Sequence, residues 1–200
     1  MTSPRQLLSV NVAQARHLTI DGRQILTAID KQPVSTLETP TRIAVAALGL
    51  AGDEQADPTV HGGPSKAVYA YPHEHYAFWQ TVLAQAGKAG WGDAAKHGLL
   101  GENLTITGLL ETDAYIGDVL RFPDCALAVS EPRQPCYKLE DKLFRQASKM
   151  MVQSAFCGFY LAVRQGGTIA AGEAYEIEPG PREVSIRDLF RDRMSRRKNV

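Results

Sequence analysis

Short runs of apolar and β-branched residues, each closed by a turn signal, recur along this chain and limit the folds open to it. Asp21-Gly22 lies between two such runs, RHLTI and RQILTAI, and this arrangement predicts a β-hairpin. Further strands are predicted at LLSVNVA, NLTITGLL, YIGDVLRF and ALAVSEP. Because strands and helices do not alternate regularly, a doubly wound parallel sheet is not expected.

Glycine and proline mark the ends of the remaining predicted strands. TRIAVAALGL predicts one strand ended by Gly49 and Gly52, and AVYAYP predicts a buried strand that Pro72 stops. FYLAVRQGGTIAAGEAYEIEP predicts a hairpin that turns at Gly166-Gly167. The segment between these strands, GDEQADPTVHGGPSK, is dense in turn-forming residues and is expected to be a loop.

Two helices are predicted between the strands. In the range 73–86, Tyr76, Trp79 and Leu83 recur at three- and four-residue spacing, which is typical of a helix with one face in the core. The range 138–151 predicts a second helix.

The sequence Pro179-Gly180-Pro181 predicts a boundary near residue 180. We therefore expect a mainly β (α+β) domain over 1–180, with a β-barrel-like core and a few attached helices, and a short basic helical tail over 181–200. A basic terminal helix could contact nucleic acid or acidic lipid, but few aromatic residues accompany it, and a solvated helix face is the preferred interpretation.

Charge and hydropathy point to no charged polymer or membrane as a partner. The chain has 22 basic and 22 acidic residues, so bulk electrostatics give no reason to expect nucleic acid or an anionic membrane as a partner. No apolar run is long enough to cross a bilayer, and the first residues lack the apolar stretch of a secretory signal. These features predict a cytoplasmic protein.

The three cysteines have different surroundings. Cys125 and Cys157 lie in apolar runs and are expected in the core. Cys136 follows two prolines in SEPRQPCYKL, and the neighbouring Arg133 and Lys138 would favour its thiolate, which is both a nucleophile and a metal ligand. From this segment alone, an inert cysteine in a rigid turn and a reactive thiol both remain open.

Four loop segments concentrate residues able to bind or react. They are Gly52–Asp57 with His61–Lys66, Gly101–Thr105, Gly117–Asp118, and the stretch that carries Arg133 and Cys136. The cations Lys66, Arg133 and Lys138 could hold an anionic phosphate.

His61 has three interpretations: a metal ligand, a proton donor or a hydrogen-bonded loop residue. It could also form a hydrolase dyad with Cys136, although the sequence identifies no third orienting group. His73 and His75 are two residues apart and would point to different faces of a helix, so they are a poor chelating pair. The chain contains no GxGxxG, P-loop or HExxH motif.

Five segments together resemble the MOSC-domain family, most closely its YiiM type, over nearly the whole chain. They are GDEQADPTVHGGPSKAVYAYP, GENLTITG, YIGDVLRF, SEPRQPCYKL and GGTIAAGEAYEI, in the family's order and at about its spacing. The resemblance implies a β-barrel core that binds the molybdenum cofactor, a pterin dithiolene that carries molybdenum and a phosphate.

The resemblance also implies roles for individual residues. Cys136 maps onto the cysteine that ligates molybdenum, and His61 onto a histidine that could donate a proton or orient a bound oxygen. The expected cofactor-binding residues are His61, Lys66, Glu102, Asn103, Thr105 and Arg133. Family members are also associated, at family level only, with pyridoxal phosphate.

The implied activity is the reduction of N-hydroxylated compounds, including N-hydroxylated purine and pyrimidine bases, as a detoxification. The cofactor would perform the two-electron step, and electrons would come from a separate reductase because no flavin, haem or iron–sulfur motif is visible. The alternatives are a non-catalytic carrier of the cofactor, or of sulfur as a Cys136 persulfide, and a thiol hydrolase that uses Cys136 and His61. The oligomeric state is not predicted.

Overall fold

The computed structural model describes residues 4–20, 23–56 and 62–198, and this part of the chain forms thirteen strands and four α-helices. The strands are β1 (Gln6–Val12), β2 (Arg16–Ile20), β3 (Arg23–Thr27), β4 (Gln32–Thr36), β5 (Ile43–Ala46), β6 (Gly49–Leu50), β7 (Val68–Pro72), β8 (Leu104–Thr107), β9 (Val119–Arg121), β10 (Ala126–Pro132), β11 (Phe159–Gln165), β12 (Gly167–Ile169) and β13 (Glu176–Glu178). The helices are α1 (Tyr76–Gln85), α2 (Tyr137–Lys142), α3 (Ala147–Ser154) and α4 (Ile186–Lys198), with short 3₁₀ helices at Pro64–Lys66 and His73–His75.

Eight strands form one mixed sheet in the order β13-β9-β10-β11-β7-β8-β1-β4, in which only the β7–β8 pair is parallel. Two small sheets, β12-β5-β6 and β2-β3, flank it. The mainly β architecture is confirmed. The expected closed barrel is not, because within the described residues the ladder ends at β13 and β4. Leu7 in β1 exchanges backbone hydrogen bonds with Gly172 and Glu173, ahead of β13, but this contact is not a strand pair.

Of the two strand predictions that concern local pairing near the N-terminus, the hairpin is confirmed and the single strand is not. Strands β2 and β3 pair from Arg16↔Thr27 to Ile20↔Arg23 as the predicted hairpin, while its Asp21-Gly22 turn lies outside the described residues. The single strand predicted at TRIAVAALGL is instead two strands, because β5 and β6 pair with each other around residues 47–48.

The hairpin predicted at Gly166-Gly167 is wrong. Strand β11 pairs with β10 and β7, whereas β12 pairs with β5 in another sheet. Thr168 explains the separation, since both its backbone N–H and its hydroxyl donate to Asp124 Oδ2 at 2.8 Å. These bonds hold β12 away from the strand that precedes it.

The predicted helices differ in accuracy. Helix α1 matches its prediction, and its Tyr76, Trp79 and Leu83 side chains are buried in the core. The helix expected over 138–151 is instead two helices, α2 and α3, separated by residues 143–146. Within the described residues, no helix combines the length and apolarity needed to cross a membrane.

Helix α4 packs onto the sheet through one apolar stripe. Ile186, Phe190 and Met194 are buried, at the four-residue spacing of one helix face. Arg193 Nη1 donates to Glu131 Oε2 of β10 at 3.0 Å, while basic side chains such as Arg191 are exposed. The basic tail is therefore a helix with a buried face and a solvated face.

We expect the α4 contact to contribute measurably to stability. Ile186→Val removes one buried methylene group, so the free energy of unfolding should fall by about 0.5–1.5 kcal/mol in a denaturant titration. Val184→Ala, two residues earlier and exposed, is the control and should change it by less than about 0.5 kcal/mol. Equal effects at the two positions would contradict the packing of α4 on the sheet.

Candidate functional site

A cleft of about 620 Å³, counted out to its open mouth, brings together much of the predicted site. Its wall comes from the segment before β4, the loop after β6, the first turn after residue 63, β7, β11 and the start of α2. The wall contains the predicted residues Lys66, Asn103, Arg133, Cys136 and Lys138, and from the predicted loop segments also Asp53, Glu54, Gln55, Ala56 and Gly101. His61 lies outside the described residues, so its place in the site stays a prediction.

Arg133, directly after β10, places a buried cation in the cleft. The residue is only 4% exposed, and its guanidinium lies 5.0 Å from the centre of the Tyr69 ring and 4.0 Å from Met151 Sδ. Among the described residues, it has no ion pair with a carboxylate. A buried charge that lacks a counter-charge is costly, so this geometry is suited to an anionic ligand.

Arg133 stays charged in spite of its burial. Burial alone would lower the pKa of its guanidinium, but Tyr69, Tyr160 and the Cys136 sulfur together raise that pKa above its ordinary value. Burial raises the pKa of both phenols, which are therefore neutral near pH 7. The site thus offers a permanent cation flanked by neutral hydrogen-bonding groups.

Tyr69 and Tyr160 were not predicted as site residues. They are direct partners across the β7–β11 pair, and their rings are 5.5 Å apart. Each lies in an apolar run that predicts only a core strand, and no local signal indicates that these two strands pair. Lys66 completes this side of the cleft, with its Nζ 5.8 Å from the Tyr160 ring and 3.9 Å from Glu131 Oε1.

The three cysteines separate as the sequence predicts. Cys125 and Cys157 are buried, and burial raises the pKa of Cys125 to about 12 and that of Cys157 well above its usual value, so both thiols are inert near pH 7. Cys136 is half-buried and lies in the cleft wall, immediately before α2. It is the cysteine that a ligand in the cleft can reach.

Asn103 lies in the cleft wall, but its side-chain amide already forms hydrogen bonds to protein atoms. Its Oδ1 accepts from the Tyr69 N–H at 3.0 Å, and its Nδ2 donates to Asp53 Oδ2 at 2.8 Å and to Asn11 O at 3.2 Å. An amide in this state has little capacity left for a ligand. Asn103 therefore positions Asp53 and ties the loop after β6 to the main sheet.

Glu102 and Thr105 lie beneath the wall, not in it. Glu102 is fully buried and accepts hydrogen bonds from the Tyr76 hydroxyl, the Gly98 and Leu100 N–H groups and the Thr105 hydroxyl. This network supports the loop that leads into β8. Neither Glu102 nor Thr105 lines the cleft, so the contact with a cofactor predicted for them stays a prediction.

The predicted segment, residues 117–118, lies outside the cleft, and its contacts are with other parts of the protein. Asp118 is fully buried, accepts from the Tyr115 and Gly180 N–H groups and pairs with Arg182. It therefore holds the chain ahead of α4 against the sheet.

A pair that the sequence did not reveal, Lys31 and Asp53, lines another part of the cleft. Lys31 Nζ lies 2.5 Å from Asp53 Oδ1, and both side chains are nearly buried. Asp53 belongs to a loop segment predicted to be functional, whereas Lys31 stands alone in a polar stretch between two strands. No spacing or motif distinguishes it there.

The donor set of the cleft fits the molybdenum cofactor that the resemblance implies. Arg133, Lys66 and Lys138 supply positive charge for an anionic group, and Cys136 supplies a thiol. Within the described residues, no three His, Cys, Asp or Glu side chains form a metal-binding cluster. A metal whose other ligands arrive with a cofactor requires only one protein thiolate, which Cys136 can provide.

Comparisons with known proteins identify the family of the chain and agree with its fold. A family model of the MOSC domain matches residues 57–176. The Escherichia coli protein YiiM is 31% identical over 156 residues, which cover 78% of this chain and 67% of YiiM. A Gibberella moniliformis protein named "Reductase" is 31% identical over 180 residues, which cover 89% of this chain but only 30% of that protein.

A solved structure extends the similarity to three dimensions. The crystal structure of YiiM from Geobacillus stearothermophilus superposes with a TM-score of 0.74 at 32% sequence identity, and the match covers 98% of this chain and 87% of the other. The Geobacillus protein and this chain thus share the same overall fold.

Proposed function

Since the chain belongs to the MOSC domain family, we propose that it is a molybdenum-cofactor oxidoreductase that reduces N-hydroxylated compounds, including N-hydroxylated purine and pyrimidine bases, in a cytoplasmic detoxification. The observation that carries the proposal is Arg133, a buried cation without a carboxylate partner among the described residues, in the same cleft wall as the half-buried thiol of Cys136. An anionic cofactor with a thiol-binding metal accounts for both groups.

Each residue of the cleft has a distinct part in this proposal. The Cys136 thiolate ligates the metal, while Arg133 and Lys66 hold the phosphate or the pterin. Arg133 is pre-oriented by the Tyr69 ring beneath it, so little side-chain freedom is lost on binding. When bound, the cofactor supplies the two-electron chemistry, and the protein supplies ligation, orientation and electrostatics.

The electrons require a donor of their own in this proposal. The sequence shows no flavin, haem or iron–sulfur motif, and we assign the donor role to a separate reductase. The part similar to this chain makes up only 30% of the fungal relative named "Reductase". The rest of that protein leaves room for an electron-supplying part on the same chain, a role that we assign here to a separate protein.

The proposal is tested by measuring molybdenum and pterin in protein purified from a host that makes the cofactor. We expect both in the wild type, and at least about a tenfold loss of molybdenum per chain in Cys136→Ser, together with loss of N-hydroxyl reduction. Cys125→Ser is the matched control, since Cys125 lies outside the cleft. A wild type without molybdenum or pterin, or unchanged activity in Cys136→Ser, would refute the proposal.

The exposure of Cys136 supports a second function, a carrier of the cofactor or of sulfur as a Cys136 persulfide. A carrier would transfer cofactor to an acceptor enzyme, or show a persulfide on the Cys136 peptide by mass spectrometry. It would not reduce an N-hydroxylated base with any reductant. Turnover of such a base would exclude a purely carrier role.

A further inference from the structure

Two buried cations line the same cleft, and their surroundings differ. Arg133 has no carboxylate partner among the described residues, whereas Lys31 is paired with Asp53. Lys31 is only 9% exposed, yet its side chain contributes to the cleft wall. Since its charge is already balanced by Asp53, Lys31 adds little attraction for an anion, and its position calls for another explanation.

Asp53 fixes the Lys31 ammonium group in place. Asp53 Oδ1 also accepts from the Ala13 N–H at 2.8 Å, and Oδ2 accepts from Asn103 Nδ2 at 2.8 Å. Asn103 is itself bonded to β7 and β1. A carboxylate with this many fixed donors cannot swing away, so it holds a proton-bearing nitrogen at one point of the wall.

Burial makes the Lys31 proton easier to release, although the nearby carboxylates act against it. Burial lowers the pKa of Lys31, while Asp53 and, more weakly, Glu102 oppose that shift. Lys142, another cation nearby, donates to Ile29 O at 2.9 Å and Gly98 O at 2.7 Å, and burial lowers its pKa to about 8. Asp30, next to Lys31 in the chain, pairs with Arg16 and lies 3.8 Å from Lys142.

We propose that Lys31 is a catalytic residue that donates a proton to the departing oxygen of the N-hydroxylated substrate, with Asp53 as its positioning residue; this rests on the proposed function. The reaction is R–NH–OH + 2e⁻ + 2H⁺ → R–NH₂ + H₂O. The N–O bond breaks, the external reductase supplies both electrons, and the nitrogen takes one proton from solvent. The oxygen takes the other from Lys31 Nζ and leaves as water. Lys31 then regains a proton from solvent at the cleft mouth.

The other cations of the described cleft are less suited to this step. Lys66 is assigned to the phosphate or the pterin in the proposed function. Arg133 cannot release a proton near neutral pH, because a guanidinium remains protonated in proteins. Lys138 donates to Leu26 O at 3.2 Å in an exposed position at the rim. Lys31 combines burial, a place in the wall and a fixed partner.

The kinetic test compares Lys31→Arg with the wild type. Arginine keeps the positive charge but cannot act as an acid, so kcat should fall about 100-fold or more at unchanged molybdenum content. In the wild type, kcat should decline at alkaline pH as Lys31 loses its proton, and Asp53→Asn should move that decline to lower pH. Lys149→Arg, an exposed substitution on α3, is the control and should behave as the wild type.

A second readout does not depend on activity. In cofactor-free protein, NMR titration of the labelled Lys31 amine should give a pKa below the ordinary value for a lysine, lowered further by Asp53→Asn. An ordinary pKa for Lys31, or full turnover in Lys31→Arg, overturns this inference while the proposed function stands. A wild type that binds no cofactor and reduces no N-hydroxylated substrate overturns both.

Discussion

Replacing Arg133 with methionine is expected to weaken retention of the anionic cofactor about 100-fold or more. The guanidinium is buried beside the place where the ligand must lie, and removing one partner of a buried charge pair typically costs about 2–5 kcal/mol of binding free energy. The pterin and molybdenum that copurify with the protein measure the loss directly. Arg133→Lys should have an intermediate effect, because a lysine keeps the charge but not the two-pronged contact.

The same substitution should not destabilise the cofactor-free protein. In that state Arg133 is a desolvated cation without a carboxylate partner in the described structure, and its neighbours Tyr69 and Met151 can pack against a methionine. Replacing buried charge with apolar side chains of similar size is often neutral or stabilising, by about 1–4 kcal/mol. We expect the free energy of unfolding to be unchanged or higher in a denaturant titration.

Arg191→Met is the matched control, because it makes the same change of charge at an exposed site on α4. It should leave both cofactor content and stability close to those of the wild type. If Arg133→Met instead lowered stability by several kcal/mol and kept its cofactor, Arg133 would be a structural residue and the cleft would lose its main anion-binding group.

Local sequence patterns predicted the elements that depend on local interactions. The β2–β3 hairpin, the buried strand β7 and the aromatic stripe of α1 all follow from turn residues or from periodicity within a short window. Cys136 was distinguished from the other cysteines in the same way, because its neighbours are polar and charged and theirs are apolar.

Long-range pairing was beyond these patterns. Strand β12 joins β5, more than a hundred residues earlier in the chain, and its Thr168 bonds to Asp124, also distant in sequence. Tyr69 and Tyr160 are also brought together by long-range pairing, of β7 with β11. In sequence, both strands have only the apolar pattern of buried core strands. Lys31 is likewise recognised as a site residue only in three dimensions, through its ion pair with Asp53.

Glu102 is next in sequence to a residue of the cleft wall but does not itself line the cleft. Its neighbour Asn103 lies in the cleft wall, but Glu102 points beneath it, and both of its carboxylate oxygens accept backbone N–H bonds. A carboxylate in a glycine-rich loop can bind a ligand, or it can accept hydrogen bonds from the backbone of its own loop. The sequence is the same in both cases. Only the hydrogen-bond partners distinguish the two cases.

The Glu102→Gln variant should therefore lose stability, with an expected cost of about 3–5 kcal/mol. Glu102 Oε1 accepts from the Gly98 N–H at 2.8 Å and Oε2 accepts from the Leu100 N–H at 3.0 Å. In either orientation, a glutamine would place its NH₂ group against one of these donors. The variant thus replaces a charge-assisted bond with a buried, unsatisfied donor, and both losses are of the order of 1–3 kcal/mol.

A denaturant titration of cofactor-free protein measures this effect, with the exposed Glu183→Gln as the control, expected within about 0.5 kcal/mol of the wild type. If Glu102 bound the cofactor instead, Glu102→Gln would keep the stability of the cofactor-free protein and lose cofactor, which is the pattern expected for Arg133→Met. The two variants therefore make opposite predictions on the same two measurements. Together they separate the residues that hold the ligand from those that hold the loop beside it.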